Sequence, residues 1–294
     1  MHGIGILAHI AGLWVLSGLD GTGKYLVMAG VPILIVAFVR YAVHTALIST
    51  LVLPRRGRTL FHTRSLKRQL LRGGLMLLTS LMFFSVLKRV PLAEATALNF
   101  MAPVFVMGMA PWLLSEPHRL HRWLGVLLAF CGMLIVVRPG GQVDSAGMLL
   151  GMGCALTFAL FQIATRYVAH DDPMTTNFYG GLCGTVGTAI ALPWADALPP
   201  LQPFQWAMLI STGVIGCLGH WLQAAAFSKA PATLLAPYSY MQIISAATLG
   251  WLMFGQFPDA TTGLGIALIC VAGLGVVLVE RWRLNVARAS AAAP

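Results

Sequence analysis

Long apolar runs without charged residues dominate this chain and decide what it can fold into. Hydrophobic residues make up 58% of its 294 positions and charged residues only 10%, whereas soluble domains average roughly 45–50% and 25%. One membrane-spanning helix needs about 20 apolar residues, and the chain holds about ten such runs. The sequence therefore predicts an all-α integral membrane protein with ten transmembrane helices and a lipid bilayer as its surroundings.

Glycine, proline and charged residues divide these runs into two sets of five predicted spans. We treat the first run as a span and not as a removed signal peptide, because no basic segment precedes it and no cleavage site is evident. The break between the two sets is the Arg-Pro-Gly-Gly turn at 138–141. The predicted spans are 3–20, 29–53, 68–87, 92–115 and 120–138, followed by 145–168, 175–194, 204–227, 232–256 and 260–282.

The stretch 90–116 recurs at 230–256 with a constant offset of 140 residues and no gap. Pro91 aligns with Pro231, and Met101 aligns with Met241. Because each copy contains an odd number of spans, the second copy must enter the membrane upside down relative to the first, as in many secondary transporters. We therefore predict two five-helix repeats of inverted topology, at residues 1–141 and 142–294, the second with a short cytoplasmic tail.

The positions of lysine and arginine predict the orientation. The outside loops hold few of these residues when both termini are placed in the cytoplasm, as the positive-inside rule requires. The net charge of +10 then marks topology and contact with anionic lipids, and it does not indicate a nucleic-acid partner. The inside segments carry Arg55, Arg56, Arg58, Arg64, Lys67, Arg68, Arg72, Arg119, Arg122, Arg166, Lys229, Arg281, Arg283 and Arg288, and the outside loops carry Lys24, Lys88, Arg89 and Arg138.

The fourth and fifth spans carry a recognisable pattern. Pro103 is followed by an apolar run that ends in Leu-Leu-Ser-Glu at 113–116, and a glycine-containing span comes next. The pair Arg40-Tyr41 follows Pro32 in the second span. These features resemble the drug/metabolite transporter superfamily, specifically its ten-helix EamA-type branch. The resemblance implies a secondary transporter of the bacterial inner membrane that exports small organic solutes.

The second half departs from that pattern at two positions. Ile243 stands where Pro103 would repeat, and Gln256 replaces Glu116. The first three spans of the two halves show no convincing repeat. Because the family includes exporters of neutral and aromatic amino acids, we favour those substrates, with other metabolites or drugs as the alternative.

Neutral polar and aromatic side chains inside the predicted spans are the candidate substrate site. Phe158 and Gln162 share one helix face, as do Tyr238 and Gln242. Such groups can hold a zwitterion with an apolar side chain, although each of them could instead bond between helices. The candidates are Trp14, Ser80, Asn99, Phe158, Gln162, His220, Gln223, Tyr238 and Gln242.

Two charged residues are candidates for gating or for structural pairing. Arg40 is the only formal charge near the middle of a predicted span, where an unpaired charge costs roughly 2.5–3.5 kcal/mol. Arg40 must therefore face a partner, a carbonyl group or a wet cavity. Glu116, before Pro117 at the end of span four, is expected to bind backbone groups or nearby arginines.

The acidic residues bear on energy coupling. All nine are predicted at span ends or in loops, whereas proton- or sodium-driven carriers commonly place a carboxylate deep in the membrane. This pattern favours facilitated transport or exchange, with His44 and His220 as remaining candidates for proton coupling. The scarcity of deep cations disfavours sugar-phosphate substrates.

Other functional classes find little support in the sequence. The segment from Gly18 to Tyr25 matches G-x-x-x-x-G-K but lacks the following Ser or Thr and the strand that a phosphate loop needs. The five cysteines lie in apolar runs without metal-ligand spacing, so we expect no metal and no cofactor. We expect a monomer that is not an enzyme; an intramembrane enzyme would need a pair such as Ser17 and His220, and a channel is a third option.

Overall fold

The computed structural model describes residues 2–113, 120–137, 144–168, 170–229, 235, 238–239 and 241–292. Within these ranges the chain is helical and contains no strand, which confirms the all-α prediction. Two short 3₁₀ turns, Gly57–Phe61 and Leu192–Trp194, follow the second and eighth helices. The helices are α1 His2–Met28, α2 Ile33–Arg56, α3 Leu66–Leu87, α4 Leu92–Asn99, α5 Ala102–Leu113, α6 Leu120–Val137, α7 Ser145–Tyr167, α8 Pro173–Ala191, α9 Pro203–Lys229, α10 Met241–Phe254 and α11 Ala260–Ala292.

Several of these helices have the length and composition of membrane spans. Four apolar segments of the described chain are long enough to cross a bilayer: Gly3–Met28, Ile33–Phe61, Leu66–Leu87 and Ser145–Tyr167. Shorter apolar helices include Met241–Phe254 and Ala260–Val276.

Helix α1 is longer than the predicted span 3–20, because it continues to Met28. The glycines that indicated a loop are packing positions. A Cβ atom at Gly21 would lie 2.8 Å from the sulfur of Met253, and one at Gly23 would overlap the ring of Phe84. Residues 18–25 are therefore helical, and no phosphate loop is formed.

The predicted span 92–115 is split into two helices, α4 and α5, with a break at residues 100–101. Pro103 has no backbone N–H, so the carbonyl of Asn99 lacks its usual donor four residues later. The chain bridges the break through the bonds from Phe100 N to Thr96 O and from Phe105 N to Met101 O, each 3.1 Å. Irregular backbone at membrane depth is tolerated only inside protein or beside a water-filled cavity.

The helices pack in a pattern that repeats between the two halves of the chain. Helix α1 packs on α9 as α3 packs on α7, and α2 packs on α9 as α8 packs on α3. Helices α2 and α8 also contact each other, and so do α6 and α11. Exchanging α1 with α7, α2 with α8, α3 with α9 and α6 with α11 leaves this list of contacts unchanged.

The same offset of 140 residues relates individual contacts. A Cβ atom at Gly73 would lie 2.5 Å from Cys183, and one at Gly213 would overlap Val43, its counterpart 140 positions away. The hydroxyl oxygens of Thr45 and Thr185, 140 residues apart, lie 3.1 Å from each other. The offset thus extends into α2 and α3, where the sequence alone showed no repeat. The boundary between 1–141 and 142–294 falls outside the described residues, and the inverted insertion of the second half stays a prediction.

The apolar core leaves a polar segment in the middle of α2. Val36 belongs to a buried apolar cluster near the start of α2, and Ile48 belongs to another near its end. The residues between them include Arg40, Tyr41 and His44, which form the centre of the candidate site.

Candidate functional site

A chain of hydrogen bonds connects α2 to α3 inside the helix bundle. Nη1 of Arg40 donates to Oγ of Ser80 at 3.3 Å, and Oγ of Ser80 lies 2.6 Å from the hydroxyl of Tyr41. The hydroxyl of Tyr41 donates to the carbonyl of Met76 at 3.2 Å. Because Tyr41 is the donor in that last bond, Ser80 donates to Tyr41 and accepts from Arg40. Ser80, a candidate from the sequence, thereby holds the side chains of Arg40 and Tyr41 in place.

Aromatic rings cover the guanidinium group of Arg40. Its Cζ atom lies 5.2 Å from the ring centroid of Tyr41 and 5.7 Å from that of Phe84. Cation–π contacts of this kind stabilise a cation away from water. Within the described residues, Ser80 is the one hydrogen-bond acceptor that the structure shows for Arg40. Most of the five N–H groups of Arg40 are therefore free for another partner.

Helix α8 makes room for the bulky residues of α2. A Cβ atom at Gly184 would overlap the ring of Tyr41, and one at Gly181 would lie 3.0 Å from Cδ2 of His44. The backbone of α8 therefore approaches α2 closely only because these positions lack side chains. At the offset of 140, the three polar positions of α2 correspond to glycines of α8, namely Gly180, Gly181 and Gly184.

Two histidines meet beside this cluster. The ring of His44 lies edge-on to the ring of His220 from α9, with 5.8 Å between centroids. Nε2 of each ring is buried and has no hydrogen-bond partner among the described residues. Buried nitrogen atoms without a partner are uncommon in folded proteins, which marks this pair as a place for a ligand or an ordered water.

The structure contradicts the prediction that every acid lies at a span end or in a loop. Asp20 lies within α1 because that helix runs on to Met28. Leu13 and Val27 share its helix face at seven-residue spacing and are only 5% and 3% exposed. Asp20, between them, keeps more accessible surface. Since this face points into the bundle, Asp20 borders open space between the helices.

Three further elements surround Asp20. Arg40 acts on it electrostatically from α2, and Asp20 acts in the same way on Cys154 of α7. The thiol of Cys154 donates to the carbonyl of Thr79 at 3.5 Å, and the buried hydroxyl of Thr79 has no partner in the described part of the chain. The residue after Thr79 is Ser80, so Asp20 and the Arg40 chain belong to one site.

Three other predicted residues lie on the helices that contribute to this region. The ring of Phe158 stacks on that of Phe161, with centroids 5.8 Å apart and planes 13° apart. Gln162 is half-buried one turn further along α7. Oδ1 of Asn99 is buried at the break between α4 and α5 and lacks a partner among the described residues.

Gln223, Tyr238 and Gln242 lie on the segments that carry α9 into α10. The side-chain oxygen of Gln223 lies 2.7 Å from Nδ1 of His9, and the other ring nitrogen of His9 lies 3.2 Å from the Ser239 hydroxyl. Gln223 therefore joins α9 to α1. Tyr238 is half-buried in a short turn, and Gln242 is half-buried at the start of α10.

The two remaining candidates lie elsewhere. Trp14 is 37% exposed and shares the outward face of α1 with the exposed Leu7, opposite Asp20. Glu116 lies outside the described residues. Ser17, considered for an enzyme, lies 2.5 Å from the Ser245 hydroxyl on α10.

Two cations that the sequence assigned to loops are buried within helices. Arg72, in α3, is 8% exposed and donates to the carbonyl of Thr176 at 3.1 Å. Lys24, in α1, is 2% exposed and donates to the carbonyl of Val90 at 2.7 Å. Both side chains connect helices, which explains how a charge is tolerated there.

One titratable group outside the spans shows how the turns are held. In the turn between α7 and α8, partial burial raises the pKa of Asp171, but hydrogen bonds from Thr63, Gln69 and the backbone N–H of Arg64 lower it below its usual value. The three donor–acceptor distances are 2.5, 2.9 and 3.1 Å. These bonds join the turn before α3 to the turn before α8. In the parts of the chain that the structure covers, no three His, Cys, Asp or Glu residues converge to form a metal site.

Apolar helices that enclose ionisable and unpartnered polar groups are the build of a membrane transporter, because such groups at membrane depth mark substrate and ion pathways. The profile of the EamA-like transporter family matches residues 3–138 and, a second time, residues 145–279. The chain belongs to the EamA-like transporter family.

Named relatives agree with this assignment. A riboflavin transporter of Vibrio cholerae serotype O1 is 28% identical over 94% of both chains. The pseudopaline exporter CntI of Pseudomonas aeruginosa is 31% identical over 83% of this chain and 86% of the relative. An S-adenosylmethionine uptake transporter of Rickettsia bellii is 29% identical over 72% of both.

A solved crystal structure shares the fold, with a TM-score of 0.67 at 20% identity over 96% of this chain and 97% of that chain. The chain is thus a drug/metabolite-type membrane transporter of small molecules. The family and these relatives confirm the resemblance seen in the sequence and the prediction of a transporter instead of an enzyme.

Proposed function

We propose that this transporter exports neutral and aromatic amino acids from the bacterial cell by alternating access, as facilitated transport or exchange. The observation that carries the proposal is Arg40. Its guanidinium group lies in the middle of α2, is held in place by Ser80 and by aromatic rings, and keeps most of its N–H groups free.

A carboxylate is the natural partner for those free donors. Arginine presents a planar fork of N–H groups that binds a carboxylate through two parallel hydrogen bonds. An unpaired charge at this depth costs roughly 2.5–3.5 kcal/mol, and a bound carboxylate offsets this cost. We infer that Arg40 holds the carboxylate of the substrate.

Aromatic surface nearby supports a substrate with a flat side chain. The stacked rings of Phe158 and Phe161 lie on α7, the helix that also brings Cys154 to Asp20. Stacked or edge-on aromatic contacts add about 0.5–1.5 kcal/mol beyond the area that they bury. Riboflavin and S-adenosylmethionine, named for two relatives, also contain flat ring systems.

The repeated packing supports alternating access. Contacts that recur at an offset of 140 residues, such as those of Gly73 and Gly213, are expected when two similar halves can exchange conformations around one site. The proposal includes five spans in each half, both termini in the cytoplasm, and a monomer in the inner membrane.

A second candidate function is export of another metabolite or drug. The names of the relatives favour this alternative, because riboflavin, pseudopaline and S-adenosylmethionine are not neutral amino acids. Both candidates use the same site and differ in the shape of the substrate.

The test is counterflow in proteoliposomes. Vesicles are loaded with unlabelled phenylalanine, threonine, glutamate or lysine, and labelled phenylalanine is supplied outside. Accumulation with phenylalanine and threonine, but not with glutamate or lysine, is the expected result. If none of the four loads drives accumulation, the amino-acid proposal is wrong, and the panel widens to riboflavin and S-adenosylmethionine.

Two arginine variants on α2 locate the site in the same assay. Arg40→Gln should reduce counterflow at least about tenfold, because a hydrogen bond to a charged group contributes about 1.5–3 kcal/mol. Arg56→Gln, at the exposed end of the same helix, is the matched control and should retain transport. Equal activity of the two variants would exclude Arg40 as the carboxylate-binding residue.

A further inference from the structure

We propose that Asp20 binds the ammonium group of the substrate while Arg40 binds its carboxylate. The transported class would then be solutes with a free amino group next to a carboxylate. This inference rests on the proposed function and adds the group that the site must recognise besides the carboxylate.

The placement of Asp20 is the first argument. Leu13 and Val27 on the same face of α1 are buried against other helices, whereas Asp20 between them keeps accessible surface. A residue in the centre of an inward face can be accessible only if the bundle has an internal space beside it. Asp20 therefore lines an interior cavity and not the lipid-facing surface, which carries Leu7 and Trp14.

The second argument is that Asp20 and Arg40 interact without joining. Arg40 acts electrostatically on Asp20, yet the described part of the chain shows no hydrogen bond or ion pair between them. At the ends of the helices, opposite charges do pair directly, as in Arg56 with Asp172 at 2.7 Å. The interior carboxylate and guanidinium are thus held apart across a space that opposite charges alone would close.

The third argument is the wall that keeps them apart. A Cβ atom at Gly216 of α9 would lie 3.6 Å from Cδ2 of Leu19 and 3.8 Å from Nε of Arg40. On the other side, Phe84 contacts Gly23 of α1 and lies beneath the guanidinium group. Helices α1 and α2 are therefore spaced by packing on both sides of Asp20, and the gap belongs to the fold.

An amino-acid zwitterion fits such a gap. Its ammonium and carboxylate groups are separated by one carbon atom, so both can be bound by opposite charges a short distance apart. Each protein charge then gains a partner that it lacks in the empty site. A solute with only one of the two groups would leave Asp20 or Arg40 unpaired, and an unpaired buried charge is strongly unfavourable.

The experiment compares inhibitors of phenylalanine counterflow in proteoliposomes of the full chain. 3-Phenylpropanoate lacks the amino group of phenylalanine, and phenethylamine lacks the carboxylate. In the wild type, unlabelled phenylalanine should inhibit at concentrations at least about tenfold lower than either analogue, since each lost charge pair leaves a charge unsatisfied. This comparison needs no variant, so it holds even where a substitution at Asp20 prevents folding.

Asp20→Asn then assigns the amino-group preference to one residue. In this variant, phenylalanine should lose its advantage over 3-phenylpropanoate but should keep its advantage over phenethylamine. Asp196→Asn, an exposed acid in the loop before α9, is the matched control and should leave both preferences unchanged.

The outcomes separate the inference from the function on which it rests. Equal inhibition by phenylalanine and 3-phenylpropanoate in the wild type would overturn the role of Asp20 and leave amino-acid transport intact. An unchanged preference in Asp20→Asn would do the same. Absence of any phenylalanine counterflow would instead reject the proposed function, and the inference with it.

Discussion

The contact between α6 and α11 and the contact between α2 and α8 show two ways of using related halves. In the first, a Cβ atom at Gly125 would overlap Val276, and one at Gly265 would lie 2.7 Å from Val136. These two pairs are exchanged by the offset of 140, and the residue types are the same in both. The contact between α6 and α11 is thus nearly symmetric.

The contact between α2 and α8 keeps the offset but not the residue types. Thr45 meets its own counterpart, Thr185, whereas Tyr41 fills the space that Gly184 leaves free. The comparison teaches that packing between the halves is symmetric where it only holds the bundle together. It becomes asymmetric where one half contributes polar side chains and the other contributes the room for them.

Gly184→Ala should give the largest loss of stability in this comparison. The added methyl group would overlap the ring of Tyr41, whose hydroxyl is fixed by Ser80 and Met76. We expect a destabilisation of about 1–3 kcal/mol from overpacking, measured as a lower Tm of the purified protein in detergent.

Gly74→Ala is the matched control for this prediction. A Cβ atom at Gly74 of α3 meets no atom within 4 Å, so the gain of about 1 kcal/mol in helix propensity should appear alone. Opposite signs for the two variants are expected. A Tm for Gly184→Ala at or above the wild-type value would show that α8 does not need glycine beside Tyr41.

Gly125→Ala and Gly265→Ala should give a similar but smaller effect, about 1 kcal/mol each. Gly125 contacts the end of the Val276 side chain, which can shift, although Gly265 also faces the carbonyl of Gly132 at 2.7 Å. Thermal unfolding of the two single variants tests whether this contact is symmetric. Gly275→Ala, with open space around it, is the control, and a large effect at only one of the two positions would contradict the symmetry.

Arg56→Gln should have the smallest effect on stability. Arg56 of α2 pairs with Asp172 at the start of α8, and both side chains are exposed. Exposed ion pairs contribute about 0–1 kcal/mol, so the Tm should change little and should fall no further at high salt. A loss as large as that of Gly184→Ala would mean that α2 and α8 are held by their ends and not by their interior contact.

The sequence predicted the helical membrane fold and the transporter class, because hydrophobicity and charge distribution depend on composition along the chain. It also identified Ser80, Arg40 and His220, which the structure brings to one region. The partners of these residues could not be predicted, since residues 40 and 80 meet only through the packing of α2 against α3.

The error at Asp20 has a specific cause. Four glycines near residue 20 indicated a turn, but Gly21 and Gly23 serve close packing with Met253 and Phe84. The offset of 140 was a usable signal: applied to the predicted span 145–168, it gives a first span of 5–28, close to the observed His2–Met28. That alignment would have placed Asp20 and Lys24 inside the membrane.

The most direct test of the account is protection of a thiol at position 80 by substrate. Ser80→Cys is made in a variant whose native cysteines are replaced, and Thr50→Cys, on the exposed face of the same α2 helix as Arg40, serves as the control. Phenylalanine should slow maleimide alkylation at position 80 severalfold and leave position 50 unaffected. Unchanged alkylation at position 80, in vesicles that still catalyse phenylalanine counterflow, would show that the substrate binds elsewhere.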